Sequence, residues 1–196
     1  MLKIYEHRLP GMSSICHRIR AKALRVADLM PCEKEIVWNP TRRLTRADFK
    51  ASTESRPFEA ATSSNIRYRY FGRMFQGKVQ FIVETVFDCQ NSYFKGTQDP
   101  ERTLAHEQGH FDITEITARR FTKAIKEQVA DTKELDLKQE AIYRQVMTEG
   151  QALQDKYDSE VDTDSSKQPA WLATIARELN GLQAYASKEI ALKIKM

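Results

Sequence analysis

Hydrophobic residues in the second half of the chain recur at the spacing of amphipathic helices. The first helix is expected from about Pro100 to Ala130, because Asp99 supplies an N-cap side chain and Pro100 suits the first helical position. The buried face of this helix is predicted to carry four residues that are spaced by seven: Leu104, Phe111, Ala118 and Ile125.

Two further helices follow. The second is expected to begin after the cap Asp131-Thr132, and the polar stretch 162–166 is expected to be a loop. A third helix is predicted from Pro169 to Asn180-Gly181, and the final segment to Met196 is expected to be helical, cationic and loosely packed. The second helix has its own apolar stripe: Leu135, Ile142, Val146, Leu153 and Tyr157.

The first half of the chain has the alternating pattern of β-strands. Residues 66–71 alternate apolar and basic side chains, residues 78–87 form a longer strand, and Gly72 to Gly77 make the turn of an antiparallel hairpin. Ile36-Val37-Trp38 is a short strand, and Tyr93-Phe94 is either another short strand or an aromatic anchor. These elements predict an α+β, zincin-like domain in which a small antiparallel sheet packs on a bundle of about three helices. We assign residues 35–196 to this domain and residues 1–34 to an N-terminal extension, either helical or disordered.

Composition narrows the classes of protein. The 196 residues are 41% hydrophobic and 30% charged, which is typical of one soluble domain. The net charge of +4 is spread without Lys/Arg runs, so nucleic-acid binding is not expected. No apolar run reaches the roughly 18–20 residues of a membrane span, and no signal peptide is evident, so the chain as written is expected in the cytoplasm.

The three cysteines, Cys16, Cys32 and Cys89, lie far apart in the sequence without C-x-x-C spacing. This argues against a disulfide framework and against a cysteine zinc site. Free thiols are the default expectation, with one bridge as the alternative.

The predicted first helix contains the motif H-E-x-x-H at His106, Glu107 and His110. Residues four apart project from one helix face, so both imidazoles can bind a single Zn²⁺. Glu107 lies beside them and is expected to be the general base for a water activated at that metal. Ile113, Thr114 and Thr117 share this face and are expected to line or support the site.

Several stretches together resemble a known family. The central stretch is His106-Glu107-Gln108-Gly109-His110-Phe111-Asp112, which looks like the signature of the bacterial domain-of-unknown-function 922 family, predicted secreted zinc-dependent proteases. The N-terminal and C-terminal similarities are weaker taken singly: Trp38, Arg43-Leu44-Thr45, Asp48-Phe49, 60–66, Tyr157-Asp158, Glu160, Gln168 and Trp171. The resemblance covers roughly residues 35–180 and implies a zinc metallopeptidase that acts on a peptide or protein.

This chain departs from the family in two ways. Members usually carry an export signal and a histidine shortly after the tyrosine–aspartate pair, where this chain has residues 161–164, Val-Asp-Thr-Asp. The histidine missing here leaves open an alternative function, a non-catalytic or degenerate metal-binding or interaction module. The sequence does not indicate an oligomeric state.

The third zinc ligand is therefore expected to be a carboxylate, because the other histidines, His7 and His17, lie in the extension. Asp112 and Glu115 face away from His106 by helical geometry. Glu160 is slightly favoured because it belongs to the family-like block, and Glu149 is the next choice. The candidates left open are Glu149, Asp158, Glu160, Asp162 and Asp164. Tyr157 is a candidate oxyanion donor, with core packing as the alternative.

Overall fold

The structure is a computed structural model that describes residues 34–73 and 77–195. The predicted extension, residues 1–34, lies outside this part of the chain apart from Lys34. Within it, four strands form an antiparallel sheet, one α-helix packs directly on the sheet and two more pack against that helix, so the predicted α+β class is confirmed.

The sheet is organised around one long strand. The predicted hairpin is present as β3 (Ser64–Arg73) and β4 (Lys78–Asp88), paired from Ser64↔Phe87 to Arg73↔Lys78. On its other edge β4 pairs with β1 (Glu35–Val37). A separate two-stranded sheet joins β2 (Ala60–Ala61) to β5 (Tyr93–Phe94). Of the two alternatives for Tyr93-Phe94, the structure therefore shows the short strand.

The three helices begin and end close to the predicted positions. Helix α1 spans Pro100–Gln128, and the Asp99 side chain accepts a hydrogen bond from the Arg102 amide as its N-cap. Helix α2 spans Thr132–Thr163 after the cap Asp131, and α3 spans Gln168–Gly181. In the described part of the chain, no helix combines the length and hydrophobicity needed to cross a membrane.

Helix α1 is the central helix, since it contacts α2, α3 and the sheet. Its long apolar stripe packs against the inward side chains of β4, as predicted by the seven-residue spacing. Phe121 and Ile125 lie in the same core as Phe81 and Val83 of β4. Further along α1, Phe111 packs with Phe87 in a second core. The helix that bears the H-E-x-x-H motif is thus held on the side away from the histidines.

The expectation for the final segment is wrong. Residues Glu189–Lys193 form a strand, β6, which pairs with β4 from Lys78↔Lys193 to Ile82↔Glu189. Ala, Glu, Leu and Lys are good helix formers, which explains the helical prediction. The alternation that buries Ile190 and Leu192 spans only five residues, and the open edge of β4 overrides the local preference.

Cys89 is buried and disulfide-bonded, so the expectation of free thiols is wrong at this residue. Cys16 and Cys32 lie outside the described residues.

Candidate metal centre

The two histidines of the motif lie together on one face of α1. Their side chains are each 16% exposed, and the Nε2 atom of His106 is 3.0 Å from Nε2 of His110. This follows from their spacing, because residues four apart in an α-helix are stacked one turn above the other.

Asp158 of α2 completes a group of three. Its Oδ1 atom lies 2.8 Å from Nε2 of His110 and 3.2 Å from Nε2 of His106. Both contacts are at hydrogen-bond distance, but Oδ1 has no aligned hydrogen-bond donor within the described chain. The three atoms that could bind a metal therefore lie within 3.2 Å of one another.

Two glycines let α2 approach α1 closely enough to bring Asp158 to the histidines. A Cβ atom at Gly109 would lie 2.6 Å from the Tyr157 hydroxyl and 2.9 Å from Cζ of the same ring. The second close approach is at Gly150, where a Cβ atom would lie 2.5 Å from Oγ1 of Thr117. Side chains at either glycine would push the helices apart, and Asp158 would move with α2.

Glu107 lies beside this group and is buried, with 4% of its surface exposed. Its Oε2 atom has no hydrogen-bond partner among the residues described. The Thr62 hydroxyl donates to the Glu107 backbone carbonyl at 3.2 Å, and the Thr62 side chain also contacts the carboxylate. Burial raises the pKa of Glu107, against the opposing influence of His110, Thr62 and His106. A carboxylate with a raised pKa accepts a proton more readily than an ordinary one.

The charges within the group are coupled. Burial on its own would raise the pKa of Asp158, but the adjacent His106 and His110 outweigh it and hold the pKa well below the usual range. Burial likewise lowers the pKa of His110, but Asp158 and Glu107 outweigh it and raise that pKa. Asp158 is therefore an anion at neutral pH, next to two imidazoles.

The donor set is one that zinc accepts. Two imidazole nitrogens and one carboxylate oxygen are typical protein ligands of a catalytic zinc, which keeps its fourth position for water or substrate. Ligands at about 2.0–2.1 Å around a tetrahedral zinc lie roughly 3.3 Å apart. The observed separations of 2.8, 3.0 and 3.2 Å are within a few tenths of an ångström of that spacing. The unaligned Oδ1 atom is a further sign that a cation fits here.

The structure does not bring the two favoured carboxylates to the histidines. The Oε2 atom of Glu160, the first choice, accepts a hydrogen bond from Trp171 at 3.0 Å, and Glu160 is not in the group. Glu149 is exposed and accepts from Gln145, so it is not in the group either. Glu160 lies two positions after Asp158, so the two side chains face different sides of α2, because each residue advances about 100° around the helix.

The remaining candidates lie elsewhere. Asp164 accepts hydrogen bonds from Ser166 at the turn after α2, and Asp162 is exposed. As expected from helical geometry, Asp112 and Glu115 face away from the histidines and bind residues of the opposite side.

Tyr157 has the position of a packing residue. Its side chain is fully buried, and its ring stacks on His106 with centroids 4.7 Å apart and planes 19° apart. The hydroxyl lies 3.5 Å from the backbone carbonyl of His106. This hydroxyl faces the helix backbone and has no exposed surface, which favours core packing over the oxyanion role predicted for Tyr157.

Two contacting residues were missed by the sequence analysis. Gln154 hydrogen-bonds His110 from α2, and Thr62 contacts Glu107 from the segment before β3. Gln154 precedes Asp158 by four residues, so it shares a helix face with that ligand, and this spacing could have found it. Thr62 lies in a Ser/Thr-rich loop segment 45 residues before Glu107, and no sequence signal distinguishes it from its neighbours.

Compared with protein-family models, with curated proteins and with solved structures, the chain gives no match.

Proposed function

We propose that this chain is a zinc-dependent peptidase whose metal ligands are His106, His110 and Asp158 and whose general base is Glu107. One observation carries the proposal. Three ligand atoms converge within 3.2 Å of one another, next to a buried carboxylate that has an unpartnered oxygen. The resemblance to the domain-of-unknown-function 922 family of predicted zinc proteases supports the same interpretation. That resemblance implies a zincin-like fold.

The partly open group suits a catalytic centre better than a structural one. Structural zinc sites are closed by four protein ligands, whereas catalytic sites have three. The side chain of Asp158 is 46% exposed, so the group borders on solvent. We expect a peptide carbonyl to approach the group from this solvent-facing side.

The proposed reaction is the hydrolysis of a peptide bond. Zinc, when bound, supplies Lewis acidity that lowers the pKa of water and polarises a carbonyl group. Glu107 accepts a proton as the water oxygen forms its bond to the carbonyl carbon. The C–N bond then breaks, and Glu107 passes the proton to the leaving amine. Burial of Glu107, which raises its pKa, favours this proton acceptance near neutral pH.

The first test is the zinc content of the purified chain, measured by elemental analysis after incubation with Zn²⁺ and gel filtration. We expect about one zinc per chain in the wild type and in Glu107→Gln, and none in His106→Ala. In a peptide-library cleavage assay, we expect cleavage by the wild type only, with a loss of roughly 10³-fold or more in Glu107→Gln.

Each outcome has a distinct meaning. No zinc in folded wild type contradicts the metal centre. Zinc in the wild type with equal hydrolysis by wild type and Glu107→Gln contradicts the role of Glu107. Zinc without hydrolysis of any peptide leaves the alternative of a non-catalytic metal-binding module.

A further inference from the structure

Gln154 makes three hydrogen bonds to the part of α1 that carries His110. Its Oε1 atom is 2.7 Å from Nδ1 of His110. Its Nε2 atom donates to the backbone carbonyl of His110 at 3.0 Å and to the Thr114 hydroxyl at 3.2 Å. The amide of Gln154 is thus fixed by partners at both ends.

The backbone carbonyl decides which way the amide faces. A carbonyl oxygen only accepts hydrogen bonds, so the NH₂ group of Gln154 must face the carbonyl of His110. The amide oxygen then faces Nδ1 of the imidazole. An amide oxygen also only accepts, so Nδ1 must carry the hydrogen.

A chain of hydroxyl groups supports this orientation. The Thr114 hydroxyl donates its one hydrogen to the carbonyl of His110 at 3.1 Å, so toward its other neighbours it is an acceptor. It accepts from Gln154, and it lies 2.7 Å from the Ser64 hydroxyl, which is then the donor. Strand β3, where Ser64 lies, therefore supports the Gln154 amide through Thr114.

The imidazole state follows from these partners. When Nδ1 of a neutral histidine carries the hydrogen, Nε2 has the free lone pair. Nε2 of His110 is the atom that lies 2.8 Å from Oδ1 of Asp158. Its lone pair is then directed at the Asp158 oxygen, which is also an acceptor, and a metal ion between the two atoms would satisfy both. Among the described residues no donor is aligned with Oδ1 of Asp158, which agrees with an Nε2 atom that carries no hydrogen.

We infer that Gln154 is a positioning residue of this centre, which holds His110 with its hydrogen on Nδ1 and presents Nε2 as the ligand atom. The inference rests on the proposed metal centre. Residues that bind the second nitrogen of a ligand histidine fix its tautomer and orientation in metal sites generally. His106 is held differently, by its stacking on Tyr157.

The tautomer can be read without any metal. We expect ¹H–¹⁵N correlation spectra of the folded, metal-free wild type to show that His110 retains its hydrogen on Nδ1 when the ring is neutral. The competing state has the hydrogen on Nε2, donated to Asp158. Observation of that state would overturn the inference, and this measurement does not depend on a variant that folds.

The second measurement is zinc affinity, by competition with a chromophoric chelator. We expect Gln154→Leu to bind zinc roughly 10–100-fold more weakly than the wild type and to lose the preference for Nδ1–H. Thr114→Val, which removes one acceptor of the Gln154 amide, should weaken binding less. Gln151→Leu is the matched control, because Gln151 is an exposed glutamine of the same helix whose amide donates to Asp155 and, within the described residues, does not contact the histidines.

Unchanged zinc affinity and an unchanged tautomer in Gln154→Leu would overturn the inference. A wild type that binds no zinc would overturn the proposed function and the metal-positioning role together. The tautomer of His110 in the metal-free chain distinguishes failure of the proposed metal centre from failure of the Gln154 contact, because it tests that contact without metal.

Discussion

The two faces of α1 differ in how their buried polar atoms are paired. On the far face, Asp112 accepts hydrogen bonds from Trp38 and Gln108 at 2.8 Å and from Arg43 at 3.0 Å. About one helical turn further along α1, Glu115 is fully buried and both of its carboxylate oxygens are hydrogen-bonded. Its partners are Thr85, Arg119 and Lys188. On the motif face, the Glu107 carboxylate and Asp158 of α2 each leave one oxygen without an aligned donor among the described residues.

The two faces of this one helix therefore use buried polar groups in different ways. A buried carboxylate without its full set of partners costs free energy, so a fold that retains one gives up stability at that place. The far face does not have this cost, because both oxygens of Asp112 and both oxygens of Glu115 are hydrogen-bonded. The paired face therefore anchors the helix, while the unpaired face is available to a ligand.

The largest expected effect comes from breaking the paired face. Glu115→Gln leaves the buried Arg119 and Lys188 without their anion, and we expect the free energy of unfolding to fall by about 3–5 kcal/mol in denaturant titrations. The matched control is Glu178→Gln, which breaks the exposed Arg120–Glu178 pair and should cost less than about 1 kcal/mol. Equal effects of the two substitutions would contradict the structural role of the far face.

The second effect tests the close approach beneath the motif face. Gly109→Ala places a Cβ atom against the Tyr157 ring, and we expect the free energy of unfolding to fall by about 1–3 kcal/mol. Zinc binding should also weaken, because Asp158 moves when the adjacent Tyr157 is displaced. Gly181→Ala meets nothing within 4 Å at the end of α3 and should be neutral or slightly stabilising. Both are measured by denaturant titration and chelator competition. A Gly109→Ala chain with unchanged affinity would mean that this contact does not position the ligand.

The smallest effect has the opposite sign. In metal-free protein at neutral pH, we expect Glu107→Gln to raise the free energy of unfolding by about 1 kcal/mol, because it removes the charge of a buried carboxylate whose Oε2 atom has no partner among the described residues. Burial raises the pKa of Glu107 above 4.5, so the folded state binds this proton more tightly than the unfolded state. The stability that this proton contributes is present below pH 4.5 and is lost as the pH rises through the folded pKa.

The difference between wild type and Glu107→Gln should therefore grow from pH 4 to pH 8, with titrations run in the presence of a chelator. A gap that is independent of pH, or a variant less stable than the wild type at pH 8, would show that Glu107 is stabilised by contacts other than those described.

Periodicity and caps predicted most of the fold, because α1, α2 and the β3–β4 hairpin are long elements with repeated burial patterns. They failed at β6, where only Ile190 and Leu192 carry the pattern and the pairing partner is more than 100 residues away. The same limit applies to the site. The two histidines share one helix, so their spacing alone predicted that they lie together. The carboxylate, Asp158, lies on another helix, and which carboxylate of α2 reaches the histidines depends on how α2 is rotated against α1. That rotation is set by Gly109 and Gly150, which the sequence does not connect to their contacts.

The position of β6 has a consequence for the order of folding. This strand is last among the described elements, yet it pairs with β4 in the sheet and places Lys188 against α1. Pairing over such a sequence distance closes a large loop, which slows folding. During synthesis, the edge of β4 at residues 78–82 must wait for residues 189–193. Until they emerge from the ribosome, its unpaired backbone groups are open to strands of other chains, and aggregation competes with folding there.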